Sequence, residues 1–261
     1  MVESIDINCD LGESYGRYQL GQDQEVLKLI TSANIACGFH AGDPKVMYET
    51  VKLAHENRVA IGAHPGFPDL NGFGRRKMEL SYDEIYQLII YQLGALRGFA
   101  RLFGERVTHL KPHGALYNQA AQDNEIARAI VQAIADVDQD IILFGLAGSE
   151  LIKEGQNKGI KVAQEVFADR TYLKDGSLTP RSREDALIHD SDLAIKRVIK
   201  MVKDSKVETV DGEEISIQAD TICVHGDNQQ ALQFVMSLRQ GLEREGITIG
   251  KVGEIKWGES R

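Results

Sequence analysis

The chain has 261 residues, 43% of them hydrophobic and 26% charged, with a formal net charge of −9. That balance excludes a protein built mainly to hold a phosphate backbone, and no apolar run nears the roughly 20 residues a bilayer span needs, so neither nucleic acid nor membrane is an expected partner. Cys9, Cys37 and Cys223 are far apart with no CxxC pair, and the start (MVESIDIN) lacks the basic and apolar regions of a secretory signal, so the expected location is a reducing cytoplasm.

Ser4 to Gly16 (SIDINCDLGESYG) alternates Ile5, Ile7 and Cys9 with Asp6, Asn8 and Asp10, the period of a β-strand. Its polar side faces either solvent, as on an edge strand, or a cavity. Asp23–Ile30 reads as a short helix with Asp23 as N-cap, and Thr31–Phe39 as a small-residue strand ending at His40. Asp43-Pro44 opens a helix to about Asn57, because Asp caps and Pro at the first position loses no hydrogen bond. Val59–Ala63 is a third strand, ending at His64. A Gly- and Pro-rich insertion, Pro65 to Lys77, follows; Arg75-Arg76 there could clamp an anion, and a mobile surface loop is the equally weighted alternative.

Ser81 and Glu84 form a capping box for a helix to about Gly104. Val107–Pro112 is a strand ending at His113, Asn124–Val137 a helix, and Asp140–Phe144 a strand. Ser149–Lys158 is a helix closed by Gly159, and Ile160–Phe167 a sixth strand. A second loop, Ala168 to Arg183, precedes a helix from about Asp192 to Lys203. Val207–Ile217 reads as an exposed hairpin turning at Asp211-Gly212. Asp220–Val224 is a seventh strand ending at His225, and a helix runs from Asn228 to about Glu245. The tail, Ile247 to Trp257, adds a closing strand or coil.

About seven alternations of strand and helix, with no linker between them, point to one domain spanning residues 1–261 with a parallel sheet. The ionisable residues choose between sheet types. His40, His64, His113 and His225 stand at predicted strand C-termini, as do Asp10 and, near the sixth, Glu165. An open sheet gathers ligand groups at one switch point, whereas a barrel gathers them from many strand ends at its C-terminal mouth. The expected fold is therefore a seven-stranded (β/α) barrel of the α/β class. The face bearing each histidine is small or polar (Ala60 and Gly62 beside His64, His109 and Lys111 beside His113) and the opposite face is apolar. If the apolar faces pack on helices, the polar faces, including Asp6, Asn8 and Asp10, point inward.

His55 and His189 read as ordinary structural residues, Cys9 and Cys37 as small buried ones, and Cys223 as a weak candidate nucleophile. Asp169 and Arg170 directly follow a strand end, where site loops belong. No GxxxxGK[ST], GxGxxG, HExxH or GxSxG is present. A divalent metal, if one is bound, would draw on Asp10, His40, His64 and His113, since such sets suit Zn, Mn or Fe.

The strings DINCDLGESYG, SANIACGFHAGDP, GAHPGFPDLNGFGRR, LKPHGALYN, EVFADRTYLKDGSLTPRSR and VHGDN resemble the LamB/YcsF family of 5-oxoprolinase components, in order from the first strand to His225. The resemblance implies a barrel similar to those of glycoside hydrolases and deacetylases. It implies an ATP-dependent opening of the lactam 5-oxo-L-proline (pyroglutamate) to L-glutamate, performed with two further 5-oxoprolinase subunits, B and C. ATP is then a co-substrate, with Mg accompanying it, and the missing nucleotide motif places phosphorylation largely on a partner. Such chemistry needs a base, an acid and cations. Asp10, His64, His113 and Lys111 are the catalytic candidates. Asp6, Asn8, Glu13, His40, Arg75, Glu165, Asp169, Arg170 and His225 are the candidates for binding substrate. Two other readings stay open: a stand-alone metal-dependent deacetylase or amidohydrolase, and a non-catalytic component that presents 5-oxoproline to its partners.

Overall fold

The computed structural model describes residues 4–226 and 229–254. Its elements run β1 (Ser4–Leu11), α1 (Asp23–Val26), β2 (Ser32–Ala36), α2 (Pro44–Glu56), β3 (Ala60–His64), α3 (Tyr82–Leu102), β4 (His109–Leu110), α4 (Gly114–Ala120) and α5 (Asn124–Val137). They continue with β5 (Ile142–Leu146), α6 (Glu150–Lys158), β6 (Val162–Phe167), α7 (Ser191–Asp204), β7 (Lys206–Glu208), β8 (Glu214–Ser216), β9 (Thr221–Val224), α8 (Gln229–Arg244) and β10 (Thr248–Ile249). Strands β1-β2-β3-β4-β5-β6-β9 pair in parallel, and β9 pairs back onto β1, so the sheet closes into the expected seven-stranded barrel. β10 adds in parallel to the start of β1, as the apolar tail suggested; the expected continuation to Trp257, like the helix start at Asn228, lies outside the described residues. None of the described helices is long and apolar enough to cross a membrane.

Closure explains the first strand. Ile5, Ile7, Cys9 and Leu11 face the helices and join the main core, with Ile35, Ile61, Leu110, Val166 and Ile222 from the other strands. Asp6, Asn8 and Asp10 point into the barrel. The interior is layered. At the bottom the Asp6 carboxylate accepts from the hydroxyls of Thr31 (2.7 Å), Ser32 (2.6 Å) and Thr221. Burial still pushes its pKa up to about 6 against the lowering by these bonds. Asp6 is thus a barrel-floor group, and the expectation that it binds substrate is corrected: it is fully buried and its oxygens are committed to the hydroxyls around it.

Above it, Asn34 donates to Asn8 Oδ1 (2.7 Å) and Asn8 donates to Thr221 Oγ1 (2.7 Å), while His109 stacks on Phe144 with ring centroids 4.3 Å apart. His109 Nε2 meets Asn34 Oδ1 at 2.9 Å and occupies the space over Gly62, where a Cβ would clash with the ring atoms Nε2, Cδ2 and Cε1. Gly62→Ala therefore forces either the ring or the strand to move, and is expected to cost about 1–3 kcal/mol in denaturant unfolding. A cost below about 0.3 kcal/mol would contradict this packing.

Burial lowers the His109 pKa to about 3, from an ordinary 6.5. The unfolded chain then takes up a proton that the folded barrel refuses. Stability is complete above pH 6.5 and falls as pH drops from 6.5 toward 3, by about 1.4 kcal/mol per unit for this one group. His40 and His113 add to the measured slope and Asp6 opposes it, so the test is a difference: urea unfolding at pH 4.5, 5.5 and 6.5 should show His109→Gln losing about one proton's worth of the wild-type slope.

Local chemistry shifts several element ends. Asp23 is not the cap of α1: its Oδ2 accepts from the Gly12 amide (2.9 Å), pinning the turn after β1, and α1 is only one turn long. β4 shrinks to two residues because Pro112 has no amide for the ladder, although Lys111 still donates to the Ala63 carbonyl (2.9 Å). α4, which the sequence did not announce, starts directly after His113. The capping box at Ser81 and Glu84 and the Asp43 cap with Pro44 form as expected.

Candidate active site

The parallel strands place all their C-terminal ends at one mouth, which opens into a cavity of about 1360 Å³. Asp10, Glu13, His64, Arg75, Lys111, His113, Arg170 and His225 line it.

Lys111 is the centre of the charged network. It is 3% exposed, and its Nζ stands 2.7 Å from Glu165 Oε1, 3.0 Å from Asp10 Oδ1, 3.3 Å from Asn8 Oδ1 and 3.3 Å from Cys223 Sγ. Burial opposes its charge, yet the surrounding carboxylates outweigh burial and hold the ammonium well above its ordinary pKa. Asp10, part-exposed at the cavity, follows the same logic in reverse. Burial pushes its carboxyl up, and His64 and Lys111 overcome that and hold it well below the usual carboxylate range. Glu165 is fully buried and accepts from Tyr117 Oη at 2.7 Å. Burial first, and the Glu165 charge second, keep that phenol protonated far above neutrality. Tyr117 is a site residue that the strand-end pattern does not reveal. It lies one helical turn beyond His113, and the signal for it would have been helix α4 itself. Cys223 is no nucleophile: burial holds its thiol protonated well above the ordinary range.

Beside this network lie three imidazoles. His64 Nδ1 is 2.7 Å from the Lys111 carbonyl, and His113 Nε2 is 2.8 Å from the Phe73 carbonyl. Carbonyls only accept, so both nitrogens carry the proton in the neutral rings. The remaining nitrogens, His64 Nε2 and His113 Nδ1, face each other at 3.0 Å. His64 Nε2 is also 3.3 Å from Asp10 Oδ2, and Glu13 Oε1 stands 3.4 Å from His113 Nδ1. Burial keeps His113 neutral, with its pKa lowered to about 3, and holds His40 well below its ordinary value. His40 is fully buried, stacked on His113 at 3.7 Å, and neither of its ring nitrogens has a hydrogen-bond partner among the described residues.

The insertion after β3 packs over this cluster and is tied to the barrel by hydrogen bonds. Gln92 of α3 clasps Gly66 through both its amide groups, donating to the carbonyl and accepting from the N–H at 3.0 Å each. Asp69 binds Arg76 and the Gly72 amide, so Arg76 is spent on the loop and only Arg75 reaches the cavity. Gly74, with φ +63°, lies so close that a Cβ would come 2.7 Å from His40 Cβ and 2.8 Å from His113 Cδ2.

At the end of β9, next to β1, His225 Nδ1 pairs with Asp169 Oδ2 at 3.0 Å. The expectation for Arg170 is narrowed: it is 6% exposed and its guanidinium donates to the Thr179 (2.6 Å) and Ala186 (3.4 Å) carbonyls, bracing the arch of residues 168–190 while still bordering the cavity. The β7–β8 hairpin supports that arch through Val210 N–H to the Tyr172 carbonyl (3.0 Å), so it is less of a free excursion than its charges suggested. Asn8 is buried beneath Lys111, where it positions the ammonium and does not line the cavity. His55 is an exposed helix residue paired with Glu105 at 2.7 Å, as expected of a structural histidine.

A parallel barrel whose strand ends bring acid, base and imidazole groups into one cavity at the C-terminal mouth has the architecture of a barrel enzyme. Comparison with known proteins makes the assignment narrower. The chain belongs to the LamB/YcsF family, whose model matches residues 5–256. It is 57% identical over 251 residues to a 5-oxoprolinase component of Oceanobacillus iheyensis, covering 96% of this chain and 98% of that protein. It is 58% identical over 253 residues to the component of the same name from Halalkalibacterium halodurans, covering 97% and 98%. Among solved structures, the lactam utilization protein of Thermus thermophilus superposes with a TM-score of 0.90 at 44% identity, covering 95% of this chain and 99% of that one. A putative cellobiose-phosphate cleavage protein of Enterococcus faecalis, at 13% identity and a TM-score of 0.56, shares the fold alone.

Proposed function

We propose that this chain is the ring-opening component of an ATP-dependent 5-oxoprolinase, acting with partner subunits B and C to convert 5-oxo-L-proline to L-glutamate. The observation that carries this reading is the Asp10–Lys111–Glu165 network at the cavity mouth, a buried cation beside an ionised carboxylate that still reaches the cavity. The relatives named for 5-oxoprolinase and lactam utilization support it.

A lactam is a resonance-stabilised amide, so opening needs an activated carbonyl. Phosphorylation of the carbonyl oxygen by ATP, with its Mg and on a partner protein, supplies that activation. Water then adds to the ring carbon while Asp10 takes its proton. The C–N bond breaks, and the proton Asp10 took from water passes to the departing nitrogen, leaving a γ-glutamyl phosphate. A second water releases phosphate, so the balance is 5-oxoproline, ATP and two waters to glutamate, ADP and phosphate. Lys111 neutralises charge on the tetrahedral carbon's oxygens in a site partly shielded from water. Arg75 and Arg170 border the cavity where the phosphoryl group and the substrate carboxylate need cations.

The test is reconstitution with one component omitted at a time. Glutamate and ADP should form together only when this chain, subunits B and C, ATP and 5-oxoproline are all present. Equal glutamate formation without this chain, or turnover by this chain alone without ATP, would overturn the reading; the second result would favour a stand-alone hydrolase.

A further inference from the structure

We propose that the buried pocket formed by Glu13, His40, His64 and His113 binds one divalent first-row transition cation of the zinc class. This goes beyond the lactam-opening reading and does not rest on it, since it follows from where lone pairs point and not from which substrate enters the cavity.

Two backbone carbonyls fix the tautomers of His64 and His113, leaving two lone pairs opposed across 3.0 Å. Opposed lone pairs repel unless an electrophile lies between them. A shared proton would satisfy that pair but leave both buried nitrogens of His40, and Glu13 Oε1 stands beside the pair, 3.4 Å from His113 Nδ1 and 4.0 Å from His64 Nε2. One cation serves all of them, because a ligand atom from each of the four residues lies within 4.8 Å of the others.

The spacing also fits. Metal–nitrogen bonds of about 2.0–2.1 Å in a tetrahedron put neighbouring ligand atoms roughly 3.3–3.4 Å apart. The separations around Glu13 Oε1 are 3.4 Å to His113 Nδ1, 3.4 Å to His40 Nε2 and 4.0 Å to His64 Nε2, and the two facing nitrogens are at 3.0 Å, so an ion needs only a small inward shift of Glu13. The rings of His64 and His113 are nearly perpendicular, at 89°, so an ion can lie in both ring planes at once. His40 is parallel to His113 within 2°, and an ion in the His113 plane is out of the His40 plane. His64, His113 and Glu13 therefore form the primary set, and His40 completes it by turning its ring, which no hydrogen bond holds in place. Imidazole nitrogens with one carboxylate suit zinc, cobalt, nickel or iron and not the oxygen-seeking magnesium or calcium. The carbonyls behind His64 and His113 are the outer partners that orient metal-bound imidazoles. Asp10, expected from the sequence in the ligand set, is replaced there by Glu13; its Oδ1 is held by Lys111, and its Oδ2 flanks the pocket.

The experiment uses the full chain stripped with a chelator and titrated with Zn²⁺ and Co²⁺. We expect about one ion per chain, an intense visible Co²⁺ spectrum of low-symmetry coordination, and X-ray absorption of the Zn²⁺ form showing two or three imidazoles with shells near 2.0–2.1 Å. His64→Gln with His113→Gln should lower affinity at least about 100-fold, in line with loss of direct ligands, and His40→Gln should lower it less. Failure of wild-type chain to bind Zn²⁺ or Co²⁺ stoichiometrically would overturn the proposal. So would absorption data showing fewer than two imidazoles, a readout that stands even if the double variant does not fold.

Discussion

Lys111→Met should lower glutamate formation by the reconstituted complex about 10²- to 10³-fold and cost the barrel roughly 3–5 kcal/mol in unfolding free energy. Both effects come from one cause. Lys111 is 3% exposed and stands between Asp10 Oδ1 at 3.0 Å and Glu165 Oε1 at 2.7 Å, so an isosteric apolar chain strands a fully buried Glu165 carboxylate beside Asp10. Like charges at that separation in a dry site cost far more than on a surface. The two effects can be separated. Adding Glu165→Gln to Lys111→Met removes the stranded charge and should recover much of the stability, while activity stays lost because the cation facing the cavity is still missing. Unfolding by urea and initial rates of glutamate release measure the two quantities independently. Activity within about twofold of wild type would remove Lys111 from the chemistry.

Asp10→Asn should be the cleaner catalytic lesion. A loss of about 10²- to 10⁴-fold in turnover is expected from removing a general base. The cost in stability should be small, because Lys111 keeps its 2.7 Å partner Glu165 and the Asn34 amide can donate to an asparagine oxygen as it does to Asp10 Oδ1 at 2.9 Å. Because Lys111 and His64 hold the Asp10 carboxyl well below the usual range, it is ionised across the neutral region. An acidic limb of the rate profile near neutrality must then come from another group. Full activity of a folded Asp10→Asn complex would end its assignment as base.

The barrel and its polar lining are legible in the sequence because period-2 alternation and strand-end histidines both survive in a linear string. Asp6, Asn8 and Asp10 alternate with Ile5, Ile7 and Cys9, and the fold turns the first set inward and the second outward. Depth is not legible. Nothing in the alternation says that Asp6 lies on the barrel floor among Thr31, Ser32 and Thr221 while Asp10, two pleats higher, meets the cavity. The replacement of Asp10 by Glu13 in the imidazole cluster also needs three dimensions. It depends on the chain turning back after β1, a turn held by the Asp23 carboxylate on the Gly12 amide, and Asp23 is the very residue the sequence offers as a helix cap. Helix α4 escapes a pattern reading because GALYNQA is short and has no side-chain cap, so Tyr117 and its bond to Glu165 go with it. Charge alone marks the arginines as ligand groups, whereas Arg76 and Arg170 are largely committed to their own loops by Asp69 and by the Thr179 and Ala186 carbonyls.

A crystal structure of the chain with 5-oxo-L-proline bound tests the central claim most directly. The lactam should lie at the ends of β1 and β4, with its carbonyl or ring nitrogen within hydrogen-bond reach of Lys111 Nζ and its carbonyl carbon approachable by a water held on Asp10. A lactam seated elsewhere in the cavity, against the His225–Asp169 pair and out of reach of Lys111 and Asp10, would contradict the account.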